Sequence, residues 1–129
     1  MTARVLVVDD ILSNVKLLEA KLTAEYFEVV SAFNGLECLA RIEEAIPDIV
    51  LLDVMMPGMD GPATFSAMKN RGMDIPVVFM TARVRGAEVS QYLDMGAAGV
   101  IPKPFDPVSL ANEVQQLWSA SLVKPPGPA

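Results

Sequence analysis

Five side chains that could together carry phosphoryl-transfer chemistry stand directly after short apolar runs of the chain. They are two adjacent acids, a third acid, a hydroxyl and an amine: Asp9, Asp10, Asp53, Thr81 and Lys103. In an open parallel sheet the carboxyl ends of the strands meet at one edge, and such sheets place their sites there. If each apolar run is a strand, the five side chains converge. Such a set can hold a divalent cation and a phosphoryl group.

The three acids indicate a metal site. Two carboxylates about 4 Å apart repel by roughly 4 kcal/mol at an effective dielectric constant of about 20, and a third adds to that cost unless a cation lies among them. The chain has no His, and its only Cys is Cys38, which lies in a separate apolar helical pattern. Oxygen ligands favour Mg²⁺, with Mn²⁺ and Ca²⁺ as alternatives. Each acid alone is equally typical of a loop cap, but three after apolar runs favour a metal.

Thr81 and Lys103 have ordinary structural interpretations beside the functional one. Alone, Thr81 is more typical of a strand-end hydroxyl bonded to the backbone, and Lys103 is more typical of a solvated surface amine. Lys103 precedes Pro104, however, and a proline restricts the backbone of the residue before it. The Lys103–Pro104 peptide is also a candidate for the cis form. An amine held near three acids can act as their counter-charge and later bind a phosphoryl oxygen.

The elements that must position these side chains alternate along the chain between strands and helices. Predicted strands cover Arg4–Val8, Glu28–Ala32, Asp48–Leu52, Ile75–Met80 and Gly99–Ile101. Predicted helices cover Ser13–Ala24 with Ser13 as N-cap, the segment from Leu36 to Pro47, a segment beginning near Pro62, Gly86–Met95 and Pro107–Ala120. Five strand–helix units predict an α/β fold, a doubly wound five-stranded parallel sheet with five helices.

Composition limits the class of protein. The chain has 129 residues, of which 52% are hydrophobic and 20% charged, as expected for one globular domain. A net charge of -6 argues against direct nucleic-acid binding, which uses clustered Lys and Arg. No apolar run approaches the ~20 residues of a membrane span, and we expect a cytoplasmic protein with no membrane association. Residues 1–121 are interpreted as the domain, and the Pro-rich residues 122–129 as a tail or the start of a linker.

Four stretches together carry a family resemblance. They are Val7–Asp10, Leu51–Gly61, Met80–Ala82, and Gly96–Phe105 with Lys103, Pro104 and Phe105 at its end. In this order and spacing, over about residues 3–120, the chain resembles the receiver domain of two-component response regulators. The resemblance implies a flavodoxin-like sheet of strand order 2-1-3-4-5, with the site at the reversal between the first and third strands.

The resemblance also implies a role for each residue that matches the motifs. Asp53 would be the phosphoacceptor. Mg²⁺ would be bound by Asp10, Asp53 and the main-chain carbonyl of Met55, with Asp9 acting through water. Phosphoryl oxygens would be bound by Thr81, the amide of Ala82 and Lys103. The chain would then be a phosphorylation-dependent signalling switch rather than an enzyme, although it would assist its own phosphorylation and dephosphorylation.

The implied partners are of two kinds. A sensor histidine kinase or a histidine phosphotransfer protein would supply the phosphoryl group. A downstream effector or a second receiver would bind the surface formed by residues 86–120, which would shift on phosphorylation. The sequence fits a stand-alone receiver and one that belongs to a longer regulator equally well.

Two positions depart from the family pattern, and two other classes of protein compete with it. The family often has an aromatic three residues before the lysine, where this chain has Val100. The positions that flank the site are Met55 and Arg83, which in the family tune the lifetime of the acyl phosphate. A hydrolase of the haloacid dehalogenase type needs a second Asp where Met55 stands. A flavodoxin-type flavin module needs a phosphate cradle where Asp9 and Asp10 would repel the phosphate.

Overall fold

The computed structural model describes residues 3–83 and 85–122, and five strands alternate with five helices along them. The strands are β1 Arg4–Val8, β2 Glu28–Ala32, β3 Ile49–Asp53, β4 Val77–Thr81 and β5 Gly99–Pro102. The helices are α1 Leu12–Ala24, α2 Gly35–Glu44, α3 Gly61–Asn70, α4 Gly86–Asp94 and α5 Leu110–Leu122. The predicted α/β class and the number of elements are confirmed.

The five strands form one parallel sheet in the order β2-β1-β3-β4-β5, as the resemblance implied. Strand β1 lies between β2 and β3, so Val8 pairs with Ala32 on one side and with Leu52 on the other. From β1 the sheet is extended on one side by β2 and on the other by β3, β4 and β5, so the strand order reverses at β1. An open α/β sheet has a crevice outside the carboxyl ends of its strands at such a reversal.

Alternate residues of the strands point into two separate cores, one on each face of the sheet. Val7 and Leu51 pack with α1 and α5, whose buried residues include Leu18 and Trp118. On the other face Leu6, Val8, Val50 and Leu52 pack with α2 and α3. Because both faces are covered, β1 and β3 are continuous apolar runs, as fully buried parallel strands require. Cys38 is buried in α2, as predicted.

Two helix starts differ from the sequence-based expectation. The prediction that Ser13 caps α1 is wrong, because the helix begins at Leu12 and its N-cap is Ile11, whose side chain has no acceptor. The N–H of Ile11 instead donates to Oδ1 of Asp9 at 2.9 Å. Helix α5 begins at Leu110, one turn later than the predicted Pro107. There the carboxylate of Asp106 accepts the N–H of Val108 at 3.0 Å and holds a turn before the helix.

The ends of the strands place the functional residues slightly differently from the prediction. Asp53 and Thr81 are the last residues of β3 and β4 rather than the first residues after them. Asp53 pairs with Met80, and Thr81 pairs with Pro102. The Lys103–Pro104 peptide is cis, as predicted. Of the predicted 122–129 tail, residues 123–129 lie outside the described residues, and Leu122 is the last residue of α5.

Candidate functional site

The three acids predicted to form a metal site lie together at the carboxyl edge of the sheet. Asp9 and Asp10 follow β1, and Asp53 ends the neighbouring strand β3. One carboxylate oxygen from each lies within 4.8 Å of the others. Asp9 is 1% exposed and Asp53 4% exposed, whereas Asp10 is open to solvent. The cluster therefore has two buried acids that are fixed in place and one that a ligand can reach from outside.

Lys103 connects this cluster to the far strand of the sheet. Its Nζ donates to Oδ2 of Asp9 at 2.9 Å and lies 3.2 Å from Oδ1 of Asp53. Burial acts to lower the pKa of Lys103, but the hydrogen bond to Asp9 and the charges of Asp53 and Asp9 outweigh burial and raise that pKa. The amine therefore stays protonated and is the counter-charge that the sequence predicted.

The environment of Asp53 opposes its negative charge. Burial is the largest influence and raises the pKa of this carboxyl, and the charge of Asp9 raises it further. Lys103 and the N–H of Met55, which donates to Oδ1 of Asp53 at 3.4 Å, act in the opposite direction without cancelling the rise. One amine for three acids leaves the cluster short of positive charge. A divalent cation of the Mg²⁺ type would correct that deficit.

Thr81 and Ala82 lie at the end of β4, next to the strand that leads to Lys103. Thr81 is buried, and its Oγ1 accepts the backbone N–H of Arg83 at 3.0 Å. Its carbonyl accepts the N–H of Lys103 at 2.9 Å, which ties the two strand ends together. Ala82 is exposed beside them. The Thr81 hydroxyl thus has an acceptor role here and keeps its own proton for another partner.

Met55 and Gly61 shape the loop that follows Asp53. The Met55 side chain is 72% exposed, so it stands at the mouth of the site rather than in the core. The N–H of Gly61 donates to the carbonyl of Val54 at 2.9 Å. A Cβ on Gly61 would lie 2.5 Å from the Asp53 carbonyl oxygen and 2.8 Å from Val54 Cα, closer than real Cβ atoms come. Only a glycine lets the loop return so closely behind Asp53.

Sequence reasoning missed two residues at this site. One is Gly61, which it read only as part of a loop. The other is Asn14, whose Nδ2 donates to Oδ2 of Asp9 at 3.2 Å. Asn14 lies five positions after Asp9, in the first turn of α1, which begins at Leu12. Its amide side chain, one turn after the acids and beside the buried Val15, was the available signal.

Comparison with known proteins identifies the family. A sequence profile of the response regulator receiver domain matches residues 5–115. The chain belongs to this family. The response regulator PleD of Caulobacter vibrioides is 49% identical to this receiver domain over 125 residues, which are 95% of this chain and 28% of PleD. The alkaline phosphatase synthesis transcriptional regulatory protein PhoP of Bacillus subtilis is 31% identical over 126 residues, covering 98% of this chain and 52% of PhoP.

Solved structures agree with the sequence comparison. The chemotaxis protein CheY4 of Vibrio cholerae superposes with a TM-score of 0.84 at 29% identity, over 91% of this chain and 99% of CheY4. NtrX of Brucella abortus superposes with a TM-score of 0.86 at 29% identity, over 95% of this chain and 28% of NtrX. This receiver domain therefore spans less than two thirds of PleD, PhoP and NtrX but nearly all of CheY4.

Family membership settles the class of function. The chain is a receiver domain of two-component response regulators, a signalling domain that works as a phosphorylation-dependent switch. It decides against the dehalogenase-type hydrolase and the flavodoxin-type module. Among the described residues, no helix combines the length and the apolar character that a membrane span needs.

Proposed function

We propose that Asp53 is the phosphoacceptor of this receiver domain and that a phosphohistidine is the donor. The donor would be a sensor histidine kinase or a histidine phosphotransfer protein. A carboxylate oxygen of Asp53 attacks phosphorus, the bond from phosphorus to the histidine nitrogen breaks, and the electron pair leaves with the imidazole, which takes up a proton. The product is an acyl phosphate on Asp53. The observation that carries this proposal is the buried Asp53 carboxylate, whose Oδ1 lies 3.2 Å from the Lys103 Nζ that also binds Asp9.

The residues around Asp53 fit a Mg²⁺ ion. Asp10 and Asp53 would bind it directly together with the main-chain carbonyl of Met55, and Asp9 would act through water. Bound there, the ion neutralises the charge that the incoming phosphoryl group brings to an already acidic cluster. The chain's own residues do the rest by position, because phosphoryl transfer needs alignment and charge compensation more than acid–base chemistry.

Thr81, Ala82 and Lys103 would bind the phosphoryl oxygens. Each hydrogen bond to a charged group contributes roughly 1.5–3 kcal/mol, so the Thr81 hydroxyl and the Lys103 amine together supply roughly 3–6 kcal/mol. Turning a population of about 1:99 into about 99:1 needs roughly 5.5 kcal/mol of differential stabilisation. The two contacts are just sufficient to drive a switch, so the domain needs both of them.

The surface that changes on phosphorylation would be formed by residues 86–120. These residues comprise α4, β5 and most of α5. The surface begins five residues after Thr81 and includes Lys103, so both phosphoryl-binding side chains connect to it through the chain. A downstream effector or a second receiver would bind there in the cytoplasm. At Val100 the family's frequent aromatic is replaced by a short side chain, which lies half-buried on β5.

The proposal is tested by reacting the wild-type chain with acetyl phosphate, with Mg²⁺ and with a chelator, and by mass spectrometry of the product. We expect the mass of one phosphoryl group to be gained only with Mg²⁺, and no gain in Asp53→Asn. The matched control is Asp94→Asn, which removes an exposed carboxylate at the end of α4 and should react as wild type does. Modification of Asp53→Asn at the wild-type rate would overturn the assignment.

A further inference from the structure

We infer that Asn14 is a positioning residue that holds Asp9 in its metal-facing orientation while Lys103 moves from Asp9 to the phosphoryl group. The inference rests on the proposed function. Asn14 lies in the first turn of α1, outside the five residues that the family motifs supply. Its side chain reaches the cluster of acids from a helix rather than from a strand end.

Asp9 is surrounded by donors on both carboxylate oxygens. Oδ1 accepts the N–H of Ile11 at 2.9 Å. Oδ2 accepts from two side chains, Nζ of Lys103 at 2.9 Å and Nδ2 of Asn14 at 3.2 Å. Asp9 is 1% exposed, so bulk solvent has little access to replace a donor that is lost on the Lys103 side. A buried acceptor without a donor carries the full cost of desolvation.

Lys103 is the donor that the reaction removes. It already lies between Asp9 Oδ2 and Asp53 Oδ1, and binding a phosphoryl oxygen on Asp53 draws it toward Asp53. Among the described contacts, Asn14 is then the donor that stays on Oδ2. Because it is neutral, it holds the carboxylate without compensating the charge that Mg²⁺ requires. Hydrogen-bonding partners of metal-binding carboxylates commonly determine how well the metal is held.

Asn14 can do this because its helix is firmly anchored. The next residue, Val15, is fully buried, and Leu18 lies one turn further in the same core. The N-cap residue Ile11 has no side-chain acceptor, so Asp9 takes its N–H and the first turn of α1 is bonded to Asp9 at two places. The start of α1 therefore gives Asp9 two hydrogen bonds that remain when Lys103 leaves.

The test compares Asn14→Ala and Asn14→Leu with wild type. Leu keeps the branched shape of Asn but is larger and has no donor, and the hollow of about 80 Å³ beside Asn14, lined by Leu17, Leu18 and Phe105, has room for the added volume. Mg²⁺ affinity is measured by calorimetry and by the shift of the Ile11 amide resonance. We expect the Mg²⁺ dissociation constant to rise about threefold to tenfold in both variants.

A second measurement separates positioning from a structural role. With beryllofluoride on Asp53, where Lys103 has left Asp9, the Mg²⁺ dissociation constant of both Asn14 variants should rise by a larger factor than without beryllofluoride, which a merely structural role would not produce. The matched controls are Asn112→Ala and Asn112→Leu, which make the same changes at an exposed position of α5 and should leave Mg²⁺ affinity unchanged.

The outcomes are distinct. An unchanged Mg²⁺ dissociation constant in Asn14→Leu, with wild type binding Mg²⁺ normally, would overturn the inference even if the melting temperature fell. A loss of affinity that equals the loss in the Asn112 variants would overturn it as well. Wild-type protein that bound no Mg²⁺ and reacted with no phosphodonor would contradict the proposed function and this inference together.

Discussion

Helices α1 and α4 follow strands β1 and β4 at the carboxyl end of the sheet but are packed against the sheet very differently. Helix α1 buries Val15, Leu18 and Leu22, each at most 1% exposed, in the core that it shares with α5. None of the residues of α4, all of which the structure describes, is buried. The main apolar attachment of α4 is the ring of Tyr92, which is half-buried and lies with its centroid 4.9 Å from that of Phe79.

The difference assigns the two sides of the site different mechanical roles. Asp9 is bonded to the first turn of α1, so the acids that would bind the metal are attached to a firmly packed helix. This helix can leave the sheet only when the core that it shares with α5 opens. Thr81 ends β4, and Ala82, Arg83 and Arg85, which lie between it and α4, are exposed. Elements with few buried contacts open at low free energy and are the ones that regulatory motions use. A phosphoryl group on Asp53 would therefore move the α4 side and leave the α1 side in place.

The largest expected effect comes from comparing a buried leucine of α1 with an exposed leucine of α4. Leu18→Ala should lower the free energy of unfolding by about 2–5 kcal/mol, because it leaves a cavity in a closed core. Leu93→Ala removes the same atoms from α4, where Leu93 is 46% exposed, and should change stability by less than about 0.5 kcal/mol. Urea denaturation of both variants measures the contrast. Equal losses would show that α4 is as firmly packed as α1.

The features that sequence patterns predicted are the ones that depend on strand ends. Apolar runs followed by polar residues indicated where β1, β3, β4 and β5 stop. Parallel strands bring their ends to one edge whatever the details of packing, so Asp9, Asp10, Asp53 and Lys103 could be grouped in advance. The order of the strands and the roles of individual residues came from the family resemblance.

The features that sequence patterns missed depend on contacts between separate segments of the chain, and no local pattern in either segment indicates such a contact. Ser13 has the residue type of an N-cap, but a cap is a weak preference, and the buried Asp9 carboxylate takes the first free N–H of the helix instead. The N-cap is Ile11, two residues before Ser13, and Asn14 then lies in the first turn and donates to Asp9. The need for glycine at position 61 arises only because the loop after β3 returns against the Asp53 carbonyl.

An intermediate effect tests whether Tyr92 is what holds α4. Tyr92→Leu removes the ring contact with Phe79 and should lower the free energy of unfolding by about 0.5–1.5 kcal/mol, the range that aromatic pairs contribute. The matched control is Tyr26→Leu, next to the end of α1, because Tyr26 is 83% exposed and should tolerate the change within about 0.5 kcal/mol. If Tyr92→Leu cost as little as the control, other contacts such as those of half-buried Val89 would be holding the helix.

The smallest expected effect comes from removing the charge of Asp53, which lies between the α1 side and the α4 side of the site. In a chelator, Asp53→Asn should raise the melting temperature at neutral pH, corresponding to about 0.5–1 kcal/mol, because relief of charge repulsion commonly contributes that much. Burial raises the pKa of the Asp53 carboxyl in the folded state above its ordinary 3.8, and the charge of Asp9 raises it further. The folded protein then holds this proton more tightly than the unfolded chain, so the ionised Asp53 destabilises the fold as pH rises.

The difference between Asp53→Asn and wild type should accordingly be near zero below the ordinary value of 3.8, grow as pH rises through the raised folded pKa, and stay constant above it. Thermal melts of both proteins across that range measure it. The control is Asp10→Asn, which removes an equal charge from an exposed carboxylate of the same cluster and should give a smaller difference. The stability difference between the two proteins would shrink with rising pH only if Lys103 stabilised the Asp53 carboxylate more than burial and the charge of Asp9 destabilise it. The cluster would then have no deficit for a cation to correct.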